Sequence, residues 1–75
     1  MKNLIGGRVK EARMQANPKV NQTQLHARLQ TQGIDIDVTA ISKIESGKRI
    51  VYDTELFAIA KALKVSPNWL LSYEN

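Results

Sequence analysis

The sequence predicts an all-α fold of five short helices. Apolar side chains recur at intervals of three and four residues, and residues that favour helix starts precede most of these segments. The clearest amphipathic pattern, i, i+3, i+4, i+7, is formed by Leu56, Ile59, Ala60 and Leu63. Because 75 residues suffice for one domain at most, we expect a single domain over residues 1–75, with a core at about 4–71 and a tail at 72–75.

The first helix is predicted from about Leu4 to Ala16. Its apolar face is formed by Ile5, Val9, Ala12 and Ala16. Arg13 lies on or beside that face, where a guanidinium is costly unless it has a partner. It is therefore either an edge residue that reaches solvent or half of an ion pair. Asn17 and Pro18 are expected to end the helix.

The second helix is predicted from Gln22 to about Gln32, with Asn21 as its N-cap and Gly33 as its stop. Leu25 and Leu29 are its inward side chains. Residues 34–37, IDID, alternate as a strand would, but four residues between two helical patterns favour a connecting turn.

The third helix lies within residues 38–49, VTAISKIESGKR, and Asp37 is expected to cap it. Ile41 and Ile44, with Glu45 beside them, form one face of a helix too short to be stable alone, so that face must dock. The opposite face carries small or polar side chains that leave room for another surface: Val38, Thr39, Ser42 and Lys43. Gly47 suits the left-handed position after a helix end, and two cations, Lys48 and Arg49, follow it. We interpret this stretch as a recognition helix.

The fourth and fifth helices complete the predicted fold. Asp53 is expected to cap the fourth, with Glu55 in its first turn. Ser66 followed by Pro67 favours the start of the fifth, over Asn68 to about Ser72. Three side chains here are candidates to close the core: Trp69, with either Leu70 or Leu71.

The charge of the chain is unevenly distributed. The formal net charge is +4, with nine Lys or Arg against four Asp or Glu in residues 1–49 (+5) and two against three in residues 50–75 (−1). This asymmetry favours a polyanionic partner for the first two thirds of the chain. Charge alone is equally compatible with an ordinary basic domain that binds no polyanion.

Residue content disfavours several functional classes. Without cysteine there is no disulfide and no thiolate metal site, which fits a reducing cytoplasm. The chain has no apolar run of signal-peptide length and none near the roughly 18 residues of a membrane span. His26 is the sole histidine, and neither a glycine-rich phosphate loop nor a nucleophile beside a base is present. We therefore expect a cytoplasmic protein that is not an enzyme and has no catalytic residue, metal, cofactor or membrane partner.

The order of these residues along the chain is more specific than any one of them. The relevant residues are Arg8, Val9, Lys10 and Arg13, then Gln22 and Leu25, then Ile41, Ser42, Ile44, Glu45, Gly47, Lys48 and Arg49, then Ala62, Leu63, Val65, Ser66, Trp69, Leu70 and Leu71. Over about residues 4–71 the chain resembles the lambda-repressor-like (Cro-type, XRE) helix-turn-helix family. The resemblance implies a prokaryotic or phage-type, nucleoid-associated protein whose third helix enters the DNA major groove while the second crosses the backbone.

The resemblance also implies roles for individual residues. Gln22 matches a glutamine that contacts phosphate and braces the recognition helix. The base-contact positions match Val38, Thr39, Ser42 and Lys43, and the phosphate-contacting loop matches Lys48 and Arg49. Arg13 and Glu45 match a largely buried ion pair.

The chain departs from the family pattern in two places. His26 stands where the family commonly has a small alanine that lets the third helix approach. About five additional residues separate Leu29 from Ile41. We expect these to extend the second helix by a turn, giving an extended connection between helices two and three.

Three classes of function are compared. The leading hypothesis is a sequence-specific regulator of transcription, a repressor by family resemblance, that binds a palindromic double-stranded DNA operator as a homodimer. Its dimer surface is expected in residues 50–75, near Trp69, Leu70, Leu71 and Tyr73. The alternative is a protein-binding adaptor or antitoxin-type module that keeps the helix-turn-helix shape. An enzyme is the class with the least support.

Overall fold

The computed structural model describes residues 2–72, which form five α-helices and no β-strand. The helices are α1 (Gly6–Gln15), α2 (Gln22–Gln30), α3 (Val38–Glu45), α4 (Asp53–Leu63) and α5 (Pro67–Leu71). The predicted all-α, five-helix fold is confirmed. Tyr73 and most of the expected tail lie outside the described residues.

Three of the four expected helix caps are present, because each needs only a side chain and a backbone amide three residues later. Oδ1 of Asn21 accepts from Gln24 N at 2.7 Å, Oδ1 of Asp37 from Ala40 N at 2.8 Å, and Oγ of Ser66 from Trp69 N at 3.0 Å. The assignment of Asp53 as an N-cap is wrong. Tyr52 is the N-cap and Asp53 the first helical residue, because Glu55 accepts from the Tyr52 amide at 3.1 Å.

The expected extended connection between α2 and α3 is present as residues 31–37, but it does not begin with an added helical turn. The second helix is not lengthened: α2 ends at Gln30, and residues 31–33 form a turn that closes at Gly33 with φ +75°. The Ile34 amide donates to the Leu29 carbonyl at 3.0 Å, and residues 34–37 then run without regular structure. Ile36 is buried, so the IDID segment anchors the connection in the core as a turn rather than a strand.

The core lies where all five helices meet. Its fully buried side chains are Val9, Leu25, Leu29, Ile36, Ile41, Ile44, Ile59 and Leu70. In α5, Leu70 therefore closes the core, whereas Leu71 is 49% exposed. Trp69 is half-buried, and the guanidinium carbon of Arg8 lies 4.6 Å from the centre of its ring.

The start of α1 and the end of α3 approach each other very closely. A Cβ at Gly6 would clash with the backbone carbonyl oxygen of Ile44, so only glycine permits this approach. The side chain of Asn3 joins the same two helices: Oδ1 accepts from the Gly6 amide at 2.7 Å, and Nδ2 donates to the Ile44 carbonyl at 3.1 Å. These contacts fix the position of α3 against α1.

Candidate nucleic-acid interface

The two faces of α3 have opposite character. Ile41 and Ile44 are each 1% exposed and dock α3 on the core. On the other face Thr39, Ser42 and Lys43 are exposed. Val38, the fourth base-contact candidate, is half-buried. The structure therefore presents two hydroxyls and one ammonium from a short helix that the core holds from behind.

The exposed face of α3 lies between two grooves. On one side Ser42 lines a groove together with Gln22 of α2 and Lys10 of α1. On the other side Thr39 and Lys43 line an open groove of about 580 Å³ that also includes Lys48. The phosphate-contact candidates Gln22 and Lys48 thus lie on opposite sides of α3.

The larger of these grooves is called the basic groove here, after its charged lining residues. These are Lys2, Asp37, Lys43, Lys48 and Arg49. Within residues 2–72, no carboxylate lies within 4.0 Å of the ammonium of any of its three lysines. The basic groove therefore carries an excess of positive charge that the protein does not neutralise by ion pairing.

Lys48 owes its position to the turn that ends α3. Gly47 has φ +76°, and its amide donates to the Ile44 carbonyl at 3.0 Å. The Lys48 amide donates to the Lys43 carbonyl at 2.8 Å. These bonds use carbonyls at the helix end and leave the exposed Lys48 side chain directly beyond the helix.

Arg49, unlike Lys48, is ion-paired with a carboxylate of the described residues. Its Nη1 and Nη2 donate to Oε1 and Oε2 of Glu55 at 2.9 and 3.1 Å, and Nη1 also donates to the Ile50 carbonyl at 3.0 Å. Hydrogen bonding to Glu55 raises the pKa of Arg49, and the bond from Arg49 lowers the pKa of Glu55. Because an internal carboxylate binds this guanidinium bidentately, we leave Arg49 out of the proposed phosphate contacts.

A network centred on Glu45 connects α1, α2 and α3. Nε of Arg13 lies 2.6 Å from Oε2 of Glu45, and Nη2 of Arg13 lies 2.8 Å from Oε1. Nε2 of Gln22 donates to the same Oε1 at 3.1 Å. Both carboxylate oxygens of Glu45 therefore accept hydrogen bonds. Because Glu45 is the last residue of α3, Gln22 braces the recognition helix through Glu45.

Arg13 has a further bond that explains its burial on an apolar face. Its Nη1 donates to the Val20 carbonyl at 2.9 Å, in the link between α1 and α2. Hydrogen bonding to Glu45 raises the pKa of Arg13 against the opposing effect of burial. The guanidinium thus has partners on both sides and no unsatisfied polar atom.

His26 occupies part of the space between α2 and the connection to α3. Its Nδ1 lies 2.8 Å from the carbonyl oxygen of Ile36, two residues before α3 begins. The contact requires a proton on Nδ1, since a carbonyl oxygen only accepts. The described residues contain no cluster of side chains suited to a metal ion. His26 therefore joins α2 to the longer connection at the position where the family has alanine.

Sequence reasoning missed two residues at this site, Lys2 and Gly6. Lys2 precedes every predicted helix, yet it lines the basic groove with Lys43 and Lys48. Gly6 falls within the predicted first helix, yet a Cβ there would clash with the backbone of α3. No local pattern could have shown either contact, because both connect residues about 40 positions apart.

A small helical core supports α2 and α3 and leaves one face of α3 exposed. This arrangement defines a helix-turn-helix domain. A helix-turn-helix family model of the XRE type, lambda repressor and Cro-like, matches residues 9–70. The chain therefore belongs to this family, as its resemblance predicted, and the family is one of DNA-binding regulators. No curated protein and no solved structure matched the chain. Among residues 2–72, no helix has the length and apolar character to span a membrane.

Proposed function

We propose that this protein is a sequence-specific regulator of transcription that places α3 in the major groove of double-stranded DNA. The observation that carries the proposal is the arrangement around α3, whose exposed polar face lies between two grooves that each contain a phosphate-contact candidate. A helix in the major groove has a phosphate backbone on each side. Gln22 on one side and Lys48 on the other suit that arrangement.

The proposed contacts divide into two kinds. Lys43 would donate to guanine O6 and N7, Thr39 and Ser42 would hydrogen-bond base edges, and the methyl group of Thr39 would contact that of thymine. Val38 is half-buried at the start of α3 and would add an apolar contact. Lys48 and the second N–H of the Gln22 amide would bind phosphate oxygens, which fixes the register without reading sequence.

Binding as a homodimer would supply the selectivity that one module lacks. A single domain of this size buries only about 600 to 1,000 Å² of its surface on DNA. The candidate dimer surface is a largely apolar groove lined by Leu4, Ile5, Val51, Leu56 and Leu71, with the polar residues Lys2, Asn3 and Asp53 also in its lining. Leu4 and Leu71 are 59% and 49% exposed and line the same groove, and a contiguous exposed apolar surface is the kind that a second copy would cover. A palindromic operator would follow from such a dimer, which would then act at a promoter by occlusion or by recruitment.

An adaptor or antitoxin-type module is the second candidate function. The observation that favours it is the exposure of two aromatic side chains, Tyr52 at the N-cap of α4 and Phe57 within α4. Exposed aromatic residues commonly mark protein-binding surfaces. In this case the partner would be a protein, and DNA binding would be weak or secondary.

Selection from a pool of random duplexes tests the proposal. We expect enrichment of a palindrome, whose half-site spacing gives the separation of the two α3 helices. As a control, the Lys43→Ala variant is passed through the same selection and should lose preference at one position of each half-site. A pool that shows no enrichment at low salt would support the adaptor function.

A further inference from the structure

The first residues of the described chain are bound to the loop that follows α3. The Lys2 amide donates to the Gly47 carbonyl at 2.7 Å. Nδ2 of Asn3 donates to the carbonyls of Ile44 at 3.1 Å and Arg49 at 2.8 Å. Residues 2 and 3 are therefore tied to both ends of the segment that carries Lys48.

Asn3 is held from its other side as well. Its Oδ1 accepts from the amides of Ile5 at 3.0 Å and Gly6 at 2.7 Å, at the start of α1. Both N–H groups and the carbonyl oxygen of this one amide thus have backbone partners. Four bonds to two segments restrict Asn3 to a single position, which in turn fixes the backbone of Lys2.

Lys2 lines both the apolar groove that contains Leu4 and the basic groove. It is exposed, and it lines that groove together with Lys43 and Lys48. Asp37 is the one carboxylate residue that lines the groove, and its Oδ1 caps α3 through the Ala40 amide. Lys2 thus lies on the same side of α3 as Lys48, without an acidic partner among residues 2–72.

We propose that Lys2 is a second phosphate contact on the Lys48 side of α3, and that Asn3 is the positioning residue that holds it there. This inference rests on the proposed function. Lys2 is bound to the loop after α3 rather than standing on its exposed face, so its ammonium meets the DNA backbone and not the bases. The DNA interface then extends from α3 to the second residue of the chain.

The test measures the salt dependence of duplex binding by the untagged 75-residue chain and its variants. Each phosphate contact contributes about 0.9 to the slope of log K against log salt concentration. We therefore expect Lys2→Ala to lower the slope by about 0.9, so its affinity deficit shrinks about 3.5-fold on a fourfold increase in salt. Lys48→Ala should lower the slope in the same way, and the effect should be equal on specific and random duplexes.

The matched control is Lys61→Ala. Lys61 is an exposed lysine of α4 that lines a different groove, with Arg28 and Lys64. Its loss removes the same charge from another part of the surface and should leave the slope within about 0.3 of the wild type. An equal decrease for Lys61→Ala and Lys2→Ala would show an effect of net charge alone, and would overturn the proposal.

The role of Asn3 is tested by repeating Lys2→Ala in an Asn3→Ala background. We expect the slope change caused by Lys2→Ala to fall to less than half of its value in the wild type, since the segment is no longer held. If Lys2→Ala changes the slope as much in the Asn3→Ala background as in the wild type, the positioning role of Asn3 is overturned. If thermal melts show that Asn3→Ala is unfolded, Asn3→Asp replaces it, because a carboxylate keeps both acceptor contacts and loses both donor contacts.

The outcomes separate this inference from the function on which it rests. A wild-type chain whose duplex affinity is insensitive to salt would overturn the proposed function. A steep wild-type slope that Lys48→Ala lowers and Lys2→Ala does not would overturn the role of Lys2 alone. A Lys2→Ala loss confined to the selected operator would mean base contact, and would also contradict the phosphate assignment.

Discussion

Arg13 of α1 and Glu45 of α3 form a bidentate ion pair, with Nε 2.6 Å from Oε2 and Nη2 2.8 Å from Oε1. Their side chains are only 8% and 7% exposed. A buried pair of this kind joins the recognition helix to the helix behind it. Its loss should therefore affect both the stability of the domain and the position of α3.

Truncation of one partner strands the charge of the other. We expect Arg13→Ala and Glu45→Ala each to lower the free energy of unfolding by about 3 to 5 kcal/mol. The double variant should cost clearly less than the sum, because neither charge then remains unpaired. Denaturant melts of the three variants measure this. A cost below about 1 kcal/mol for either single variant would contradict the structural role of the pair.

Gly6 and Gly7 are neighbours in α1 with opposite expected responses to alanine. A Cβ at Gly6 would clash with the Ile44 carbonyl, whereas a Cβ at Gly7 would meet no atom within 4 Å. Gly6→Ala should therefore destabilise the protein by about 1 to 3 kcal/mol. Gly7→Ala should stabilise it by about 0.5 to 1 kcal/mol, since alanine favours a helix. Thermal melts that show the same sign for both would refute the close contact of α1 with α3.

Glu55 should give the stability of the domain a specific pH dependence. The bond from Arg49 is the main reason that its pKa lies below the ordinary value of about 4.5, against the opposing effect of burial. A folded-state pKa below the unfolded one means that ionised Glu55 favours folding above about pH 4.5, and that this contribution is lost as pH falls through the folded pKa.

The variant that isolates this contribution is Glu55→Gln. We expect the difference in unfolding free energy between wild type and variant to be constant from neutral pH down to about pH 5 and to shrink below it. Denaturant melts across that range provide the measurement. A difference that stays the same at every pH would show that Glu55 has the same pKa in the folded and unfolded states.

Leu71 and Met14 provide a matched test of the dimer surface. Both are exposed, by 49% and 45%, but Leu71 lines the apolar groove and Met14 lies on α1 outside it. If the protein forms the proposed dimer, Leu71→Lys should convert it to monomer and Met14→Lys should leave it intact. Sedimentation at a concentration where the wild type is dimeric measures both. If the Leu71→Lys variant remains fully dimeric, the interface lies elsewhere.

Much of the fold could be predicted because its determinants are local. The caps Asn21, Asp37 and Ser66 each act on an amide three residues away, and Gly33 and Gly47 have the positive φ that their positions suggested. Asp53 was assigned wrongly because Tyr52, an unusual N-cap, is supported instead by Glu55. Boundaries shifted by one or two residues at helix ends, where capping competes with fraying.

The site could be predicted only in part, because its remaining determinants are distant in sequence. The connection after α2 turns at once instead of extending the helix, since Ile36 is buried and His26 bonds to its carbonyl. Arg49 and Glu55 are only six residues apart, but the turn into α4 brings them together and no helical spacing predicts the pair. Asn3 acts on residues more than 40 positions away. Periodicity and capping carry no information about such contacts.

The central claim is that α3 reads bases while the residues beyond it hold the backbone, and Lys43 and Lys48 separate these roles. Both are exposed lysines that line the basic groove. The most direct measurement is the affinity of Lys43→Ala and Lys48→Ala for the selected operator and a random duplex, each at two salt concentrations.

Lys43→Ala should cost roughly 1 to 3 kcal/mol on the operator and much less on random DNA, since one base contact is lost. Lys48→Ala should weaken binding equally on both duplexes and lower the salt slope by about one. Indistinguishable profiles for the two variants would contradict the assignment of Lys43 to a base and of Lys48 to the phosphate backbone.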